Sequence, residues 1–326
     1  MTVDPIANFF SSEMLHSGIR LTTPILLGAI ASALSSRAGV LNLAIEAKML
    51  VGAFVGLVAL DASGSTFTAI LAAFLAGAAT GGLMAGAHRL GVDLIVFAIG
   101  LNMLALELSV YLMRVLFGGT GVWTPDVETL GDIDIPLIGS IPFLGDLLSG
   151  YNILVYLAFA AAIAFTLFFR YRPGRHLLAI GEAPGAAAAA GIAVPRYQTT
   201  SLVMAGGLAA VGGAFLTVGE LGLFARGMTD GAGWIAVTAA LLAMNRPGFL
   251  IPASLLFGFS DAFAIRLQST TDLPQVVVQL LPFLATLVVL GFVGYRAMRA
   301  AATLGMPKRP RGAARPPQPA TSTAGT

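Results

Sequence analysis

The run VLNLAIEAKMLVGAFVGLVAL, residues 40–60, is long enough to cross a bilayer core as a helix and carries only two charges, Glu46 and Lys48. Working outward, apolar windows of comparable length recur near residues 18–36, 65–87, 94–117, 151–169, 199–219, 248–265 and 276–295. A ninth, near 232–244, is short. The chain has 326 residues, 57% of them hydrophobic and 10% charged, with a mean hydropathy of +0.87. A soluble domain carries about 25% charged residues, so this chain cannot cover a water-facing surface. The expected fold is an all-α polytopic membrane protein of about eight to ten transmembrane helices, with a membrane domain over 1–300 and a tail over 301–326.

The basic residues give an orientation. Arg37, then His88 and Arg89, then Arg170, Arg172, Arg175 and Arg196, then Arg246 follow every second window, as positive-inside loops would. Six further cations, Arg296, Arg299, Lys308, Arg309, Arg311 and Arg315, sit in a Pro/Ala-rich end segment too polar to fold, expected to be a disordered cytoplasmic anchor. The connection over 118–150 holds Asp126, Glu128, Asp132, Asp134 and Asp146 without a lysine or arginine, and Pro125, Pro136 and Pro142 make it an irregular outer loop. Nine crossings would place the N-terminus outside and the C-terminus in the cytoplasm. Asp4 and Glu13 occupy the place of a basic signal region, so targeting is expected from the spans themselves.

Composition excludes several chemistries. There is no cysteine, and His16, His88 and His176 are too far apart for a helical ligand pair. The net charge of +2 gives no case for a nucleic-acid partner, because the cations mark loops and the tail. A nucleotide-binding P-loop needs a Gly-Lys pair, whereas Lys48 and Lys308 follow Ala47 and Pro307. Any ATP-driven motor must be another chain. No nucleophile and base can be brought together to suggest an intramembrane enzyme.

Ionisable groups at membrane depth are costly and are by default functional or paired. Glu46, Lys48, Glu107 and Asp261 qualify, with Asn42 and Asn102 as neutral hydrogen-bonding groups. These six are the candidate pathway residues. Glu46 and Lys48, two apart on a helix, point away from each other, so each needs a partner elsewhere. Gly77 with Gly81, Gly82 with Gly86, and Gly206, Gly207, Gly212 and Gly213 form small-residue patterns that let helices approach closely. Arg37-Ala38-Gly39-Val40-Leu41-Asn42 and Gly231-Ala232-Gly233-Trp234-Ile235-Ala236 open two windows from opposite faces, as an inverted repeat lining a transport path would. Between two spans, Pro184 and the alanines of 186–190, stopped by Gly191, predict a short connecting helix.

Gly181-Glu182-Ala183-Pro184, Ala186-Ala187, Ala190-Gly191-Ile192 and Val194 resemble the coupling loop of permease subunits in type II ABC importers. Ser36-Arg37-Ala38-Gly39-Val40-Leu41-Asn42-Leu43-Ala44-Ile45-Glu46 is similar to a stretch of the branch handling nucleosides and simple sugars, within the superfamily of branched-chain amino-acid and ribose permeases. Gly227-Met228-Thr229, Gly231 to Ala236 and Leu256-Phe257-Gly258-Phe259-Ser260-Asp261-Ala262 extend the likeness, which runs from about residue 20 to 295.

This resemblance implies a permease in a prokaryotic cytoplasmic (inner) membrane, passing nucleosides, nucleobases or simple sugars. The implied partners are a second permease subunit, homologous or identical, a cytoplasmic ABC ATPase carrying ATP and Mg, and an external solute-binding lipoprotein or periplasmic protein, all within membrane lipid. Glu182, Pro184, Ala186, Ala187, Ala190 and Gly191 would form the ATPase-docking element, with no cofactor in this chain. Ala183 replaces the family's asparagine, Ala47-Lys48 replaces Gly-Met, and Asn245-Arg246 stands in place of Arg-Trp. If Lys48 faces the pathway, it favours an anionic or strongly hydrogen-bonding solute. A sugar or amino-acid permease of the same superfamily, or an ion-coupled transporter using Glu46, Glu107 or Asp261, are the alternatives.

Overall fold

The computed structural model describes residues 12–119, 121–133 and 149–270, with the single positions 280, 284 and 291. Contacts divide the chain into Met1–Ala285 and Thr286–Thr326, and every element named below belongs to the first unit. The window at 276–295, apart from Leu280, Leu284 and Gly291, and the tail at 301–326 lie outside the described residues, as do Pro136, Pro142, Asp134 and Asp146.

The chain is an all-α polytopic membrane protein. Its elements are α1 (Ser12–Arg37), α2 (Ile45–Ser63), α3 (Thr66–Arg89), α4 (Leu94–Phe117), β1 (Val122–Trp123), α5 (Ile153–Phe168), α6 (Arg172–Glu182), α7 (Pro184–Ala189), α8 (Val194–Ala214), a π-helical turn (Phe215–Leu221), β2 (Phe224–Ala225), α9 (Ala232–Leu242) and α10 (Pro247–Thr270). Against the eight to ten crossings expected, five described helices are long and apolar enough to span a membrane, or six if α5 and α6, bent by 77°, count as one broken span. The difference has local causes. Three ionisable groups, Glu46, Lys48 and Asp61, interrupt the apolar run of α2, while the 11 residues of α9 reach only about 17 Å.

Helices α1, α2, α3 and α8 pack at the centre because their facing positions are small. A methyl group on Gly213 would collide with the Met49 carbonyl, one on Gly52 with Ala210, and one on Gly77 or Gly81 with the α8 backbone at Gly206 or Leu202. Apolar lipid supplies no hydrophobic drive for helix association, so such backbone contact is what holds the bundle. Gly82 and Gly86, by contrast, face no neighbour within 4 Å among the described residues.

The two ends of the bundle differ in charge. At one end Arg37 bonds to Asn245, Arg89 to Thr199, His88 to Gln198, and Gln198 to Ala38. At the other, His16 contacts the Gly150 carbonyl, Arg20 pairs with Glu220 at 3.1 Å, and β1 pairs antiparallel with β2. The described part of the acidic loop is therefore pinned to the bundle, further secured by the Leu130 N–H on the Val218 carbonyl and a bridge between Ile133 and Tyr151. Beyond Ala214, at the end of α8, the helix widens into the π turn, where Thr217 bonds to the Ala53 carbonyl and Asn152 to that of Gly219. Such widened turns concentrate at functional sites.

Candidate functional site

After Arg37 the chain does not continue as helix. It turns at Gly39 (φ +74°), re-enters the bundle unwound over 40–44, and starts α2 only at Ile45. A methyl on Gly28 would touch the Ile45 side chain, and Gly28 lies nine residues before the end of α1, so α2 begins about 13 Å inside the protein. A helix starting there must find partners for its first amides without water. Its N-cap, Ala44, has no side-chain acceptor. Asn102 of α4 supplies one instead: its Oδ1 accepts from the Ala47 N–H at 2.9 Å while its Nδ2 donates to the Leu43 carbonyl at 3.1 Å.

The same problem arises at α9 and is solved by Glu46. Gly231, left-handed at φ +80°, precedes α9 and offers no side-chain cap. The Glu46 carboxylate accepts from the Gly231 N–H at 3.2 Å, the Gly233 N–H at 2.7 Å and the Thr229 hydroxyl at 2.5 Å. An anion is favoured where it meets a helix N-terminus, and Glu46 sits in the first turn of α2 as well as over that of α9. The openings of α2 and α9 thus meet head to head in the interior, whereas the sequence placed them at opposite faces. The cause is the unwound entry at 40–44. From this junction α2 leads to the turn at Gly64, and α9 leads to Asn245 beside Arg37.

Lys48 points the other way and is wholly buried, at 0% exposure. Its Nζ donates to Asn42 Oδ1 at 2.8 Å and lies 3.5 Å from the Met84 sulfur, and Asn42 Nδ2 in turn donates to the Ser35 hydroxyl at 3.0 Å. Glu46 and Lys48 therefore have separate partners, as their two-residue spacing requires. Glu107 lies apart from this cluster on the outer side of α4, 63% exposed, and pairs with Arg226 at 2.9 Å. Asn42, Glu46, Lys48 and Asn102 are brought together; Glu107 and Asp261 are not.

Asp261 faces a cavity of about 590 Å³ beside the first turn of α9. Thr229, Asp230, Gly231, Trp234 and Gln268 also line it, with Leu21, Pro24 and Ile25 of α1 as an apolar wall. Thr229 and Gly231 are the groups held from behind by Glu46, so the carboxylate fixes the shape of one cavity wall. Among the described lining residues there is no lysine or arginine. Sequence reasoning missed Asp230 and Gln268, and named Trp234 only within the segment that opens α9. Asp230 carries a signal only in the backbone, as a non-glycine residue at φ +42°.

At the basic end the chain bends into α6 and α7. Leu177 and Ile180 anchor α6, and Gly181 packs directly on the Arg37 carbonyl. Glu182 ends α6; Pro184, Ala186, Ala187 and the cap Ala190 form α7, and Gly191 (φ +82°) turns the chain out of it. Ala187 is buried while Pro184, Ala186, Ala188, Ala189 and Ala190 face outward. The α7 N-cap is Ala183, which has no capping side chain.

Known proteins share this sequence pattern along nearly the whole chain. It is 29% identical to a nucleoside ABC transporter permease protein of Lactococcus lactis, over 84% of this chain and 90% of the relative. Identity is 28% to a guanosine ABC transporter permease protein of Bacillus subtilis (83% and 89% covered) and 27% to a glucose ABC transporter permease protein of Haloferax volcanii (88% and 80%). No solved structure matches the chain. A family model matches residues 14–290, spanning the broken-helix junction, the cavity and the α6–α7 elbow; the chain belongs to the branched-chain amino acid transport system / permease component family.

Proposed function

We propose that this permease forms one half of the pathway of an ABC importer for nucleosides, nucleobases or simple sugars, paired with a second permease subunit, homologous or identical. A cytoplasmic ABC ATPase holds the ATP and Mg and docks on α7. An external solute-binding lipoprotein or periplasmic protein delivers the solute. The end bearing Arg37, Arg89, Arg170, Arg172, Arg175, Arg196 and Arg246 faces the cytoplasm of a prokaryotic cell by the positive-inside rule, with the N-terminus outside and the C-terminus inside.

The observation that carries the substrate class is the cavity lining. Asp230 and Asp261 accept hydrogen bonds, Thr229 and Gln268 can donate or accept, and Trp234 offers an apolar face. Uncharged rings rich in N–H or O–H groups fit this set, whereas phosphorylated solutes would meet two carboxylates without a described cation. Buried Lys48 turns its charge toward Asn42, which separates it from solute selection.

Transmission follows from the ties at the basic end. Movement of α7 carries the adjoining α6 residue Gly181, which bears on Arg37; Arg37 Nε holds at 2.8 Å the carbonyl of Asn245, three residues beyond α9, and the other end of α9 forms the cavity wall. The test is uptake by the chain reconstituted with its partner permease, ATPase and binding protein. Neutral nucleoside or glucose should enter in an ATP-dependent manner, and nucleoside monophosphate should not. Hydrogen bonds to a charged group contribute about 1.5–3 kcal/mol, so Asp261→Asn should raise the half-saturating concentration about tenfold or more. Uptake driven by an ion gradient without ATP would contradict the reading.

A further inference from the structure

On the opposite side of the basic end, α1, α5 and α8 enclose an open groove of about 620 Å³ beneath α6. Its floor is ordered by polarity. Along one face of α8, at four-residue spacing, run Arg196, Thr200, Met204 and Leu208, passing from a cation through a hydroxyl to two apolar side chains. Ile30 and Leu34 of α1 and Phe165 and Phe168 of α5 complete the apolar part. From Arg196 to Leu208 the stripe is about 18 Å long, close to half of a hydrocarbon core about 30 Å thick. Its polar end lies where α6 bends away and its apolar end runs toward mid-membrane.

The polar end is built rather than incidental. His176 of α6 meets the Tyr197 hydroxyl at 2.9 Å, fixing α6 to the start of α8, and the α5–α6 bend requires Gly174, where a methyl would strike the Phe168 backbone. Arg196 is exposed, and among the described residues no carboxylate or other acceptor engages its side chain. Arg170, Arg172 and Arg175 stand on the neighbouring bend, again without an ion pair among the described residues. Basic pockets between membrane helices at the cytoplasmic side suit anionic lipid headgroups.

We propose that this groove is a binding site for one anionic phospholipid of the cytoplasmic leaflet. The phosphate is held by Arg196 and the Thr200 hydroxyl, and an acyl chain lies along Met204, Leu208, Ile30 and Phe165. The lipid would wedge between α5 and α8 immediately behind the α6–α7 elbow. This assignment requires only that the basic end faces a lipid headgroup layer, so it stands or falls separately from the solute carried.

The test is native mass spectrometry of the full chain taken from vesicles of equal phosphatidylglycerol and phosphatidylcholine. One phosphatidylglycerol per chain should survive activation that strips other lipid. Arg196→Gln should reduce its retention at least tenfold, as should filling the groove by Ala164→Trp or, from the facing helix, Met204→Trp. Arg114→Gln, at the opposite end of the bundle, should leave retention within twofold. Equal retention of phosphatidylcholine, or phosphatidylglycerol retention within twofold of wild type in Arg196→Gln or in both folded groove-filling variants, would overturn the assignment.

Discussion

Removing the Glu46 carboxylate should loosen one turn of one distant helix. Three donors converge on it, from Thr229, Gly231 and Gly233, and among the described residues no other capping side chain serves α9. Bonds to a charged acceptor contribute about 1.5–3 kcal/mol each, and they are not additive, so the local opening energy of the α9 first turn should fall by about 3 kcal/mol in Glu46→Ala. At 1.4 kcal/mol per tenfold, exchange of those amides should accelerate about 100-fold. Glu46→Gln keeps one acceptor oxygen but turns an amide donor toward a backbone N–H, so a loss of about 1.5 kcal/mol and roughly tenfold faster exchange is expected. Hydrogen–deuterium exchange of the purified chain in lipid nanodiscs, followed on peptides covering 228–240, reads this directly. Peptides from the exposed half of α4 beyond residue 108 serve as the control. Exchange at 228–240 within threefold of wild type in Glu46→Ala would refute the capping argument.

Three further outcomes follow from packing and capping. Gly213→Ala should destabilise the bundle by about 1–3 kcal/mol or more, because the methyl meets the Met49 carbonyl, whereas Gly82→Ala, facing open space, should be neutral or stabilising by up to about 1 kcal/mol; thermal midpoints in detergent separate the two. Lys48→Met should leave both stability and solute preference close to wild type, since replacing a buried cation by an apolar chain of similar length is often neutral or better; a changed uptake profile would show that Lys48 acts on the solute. Ala183→Asn should add a side-chain cap to α7 worth about 1 kcal/mol, visible as slower exchange over 184–190.

Much of this architecture was legible because it rests on local pattern. The apolar windows mark the long helices, Pro184 and Gly191 bracket α7, and the Gly77–Gly81 spacing marks a face that does meet α8. The junction was not legible. Glu46 is separated from its partners by 183 to 187 residues, and two of those partners are backbone amides, which residue type does not reveal. The signal there is weak: neither α2 nor α9 opens with a side-chain cap, in contrast to Asp93 before α4 and Asn152 before α5, but α3, α6, α7 and α8 lack one too. Uncapped apolar helices inside a bundle must borrow acceptors, and the intramembrane Glu46 and Asn102 were the residues available to lend them. The π turn left no trace in the sequence because its widened carbonyls are satisfied by Asn152 and the Leu130 N–H from other parts of the chain.

Under the proposed function, ATPase movement at α7 would reach the α2–α9 junction through Arg37. In proteoliposomes containing the complete transporter, ATP hydrolysis and solute uptake should be measured together for Arg37→Ala. Loss of the bond to Asn245, with Gly181 still seated, should leave basal hydrolysis near wild type while uptake falls at least tenfold in protein that remains folded. Uptake per ATP equal to wild type would show that Arg37 does not transmit the movement.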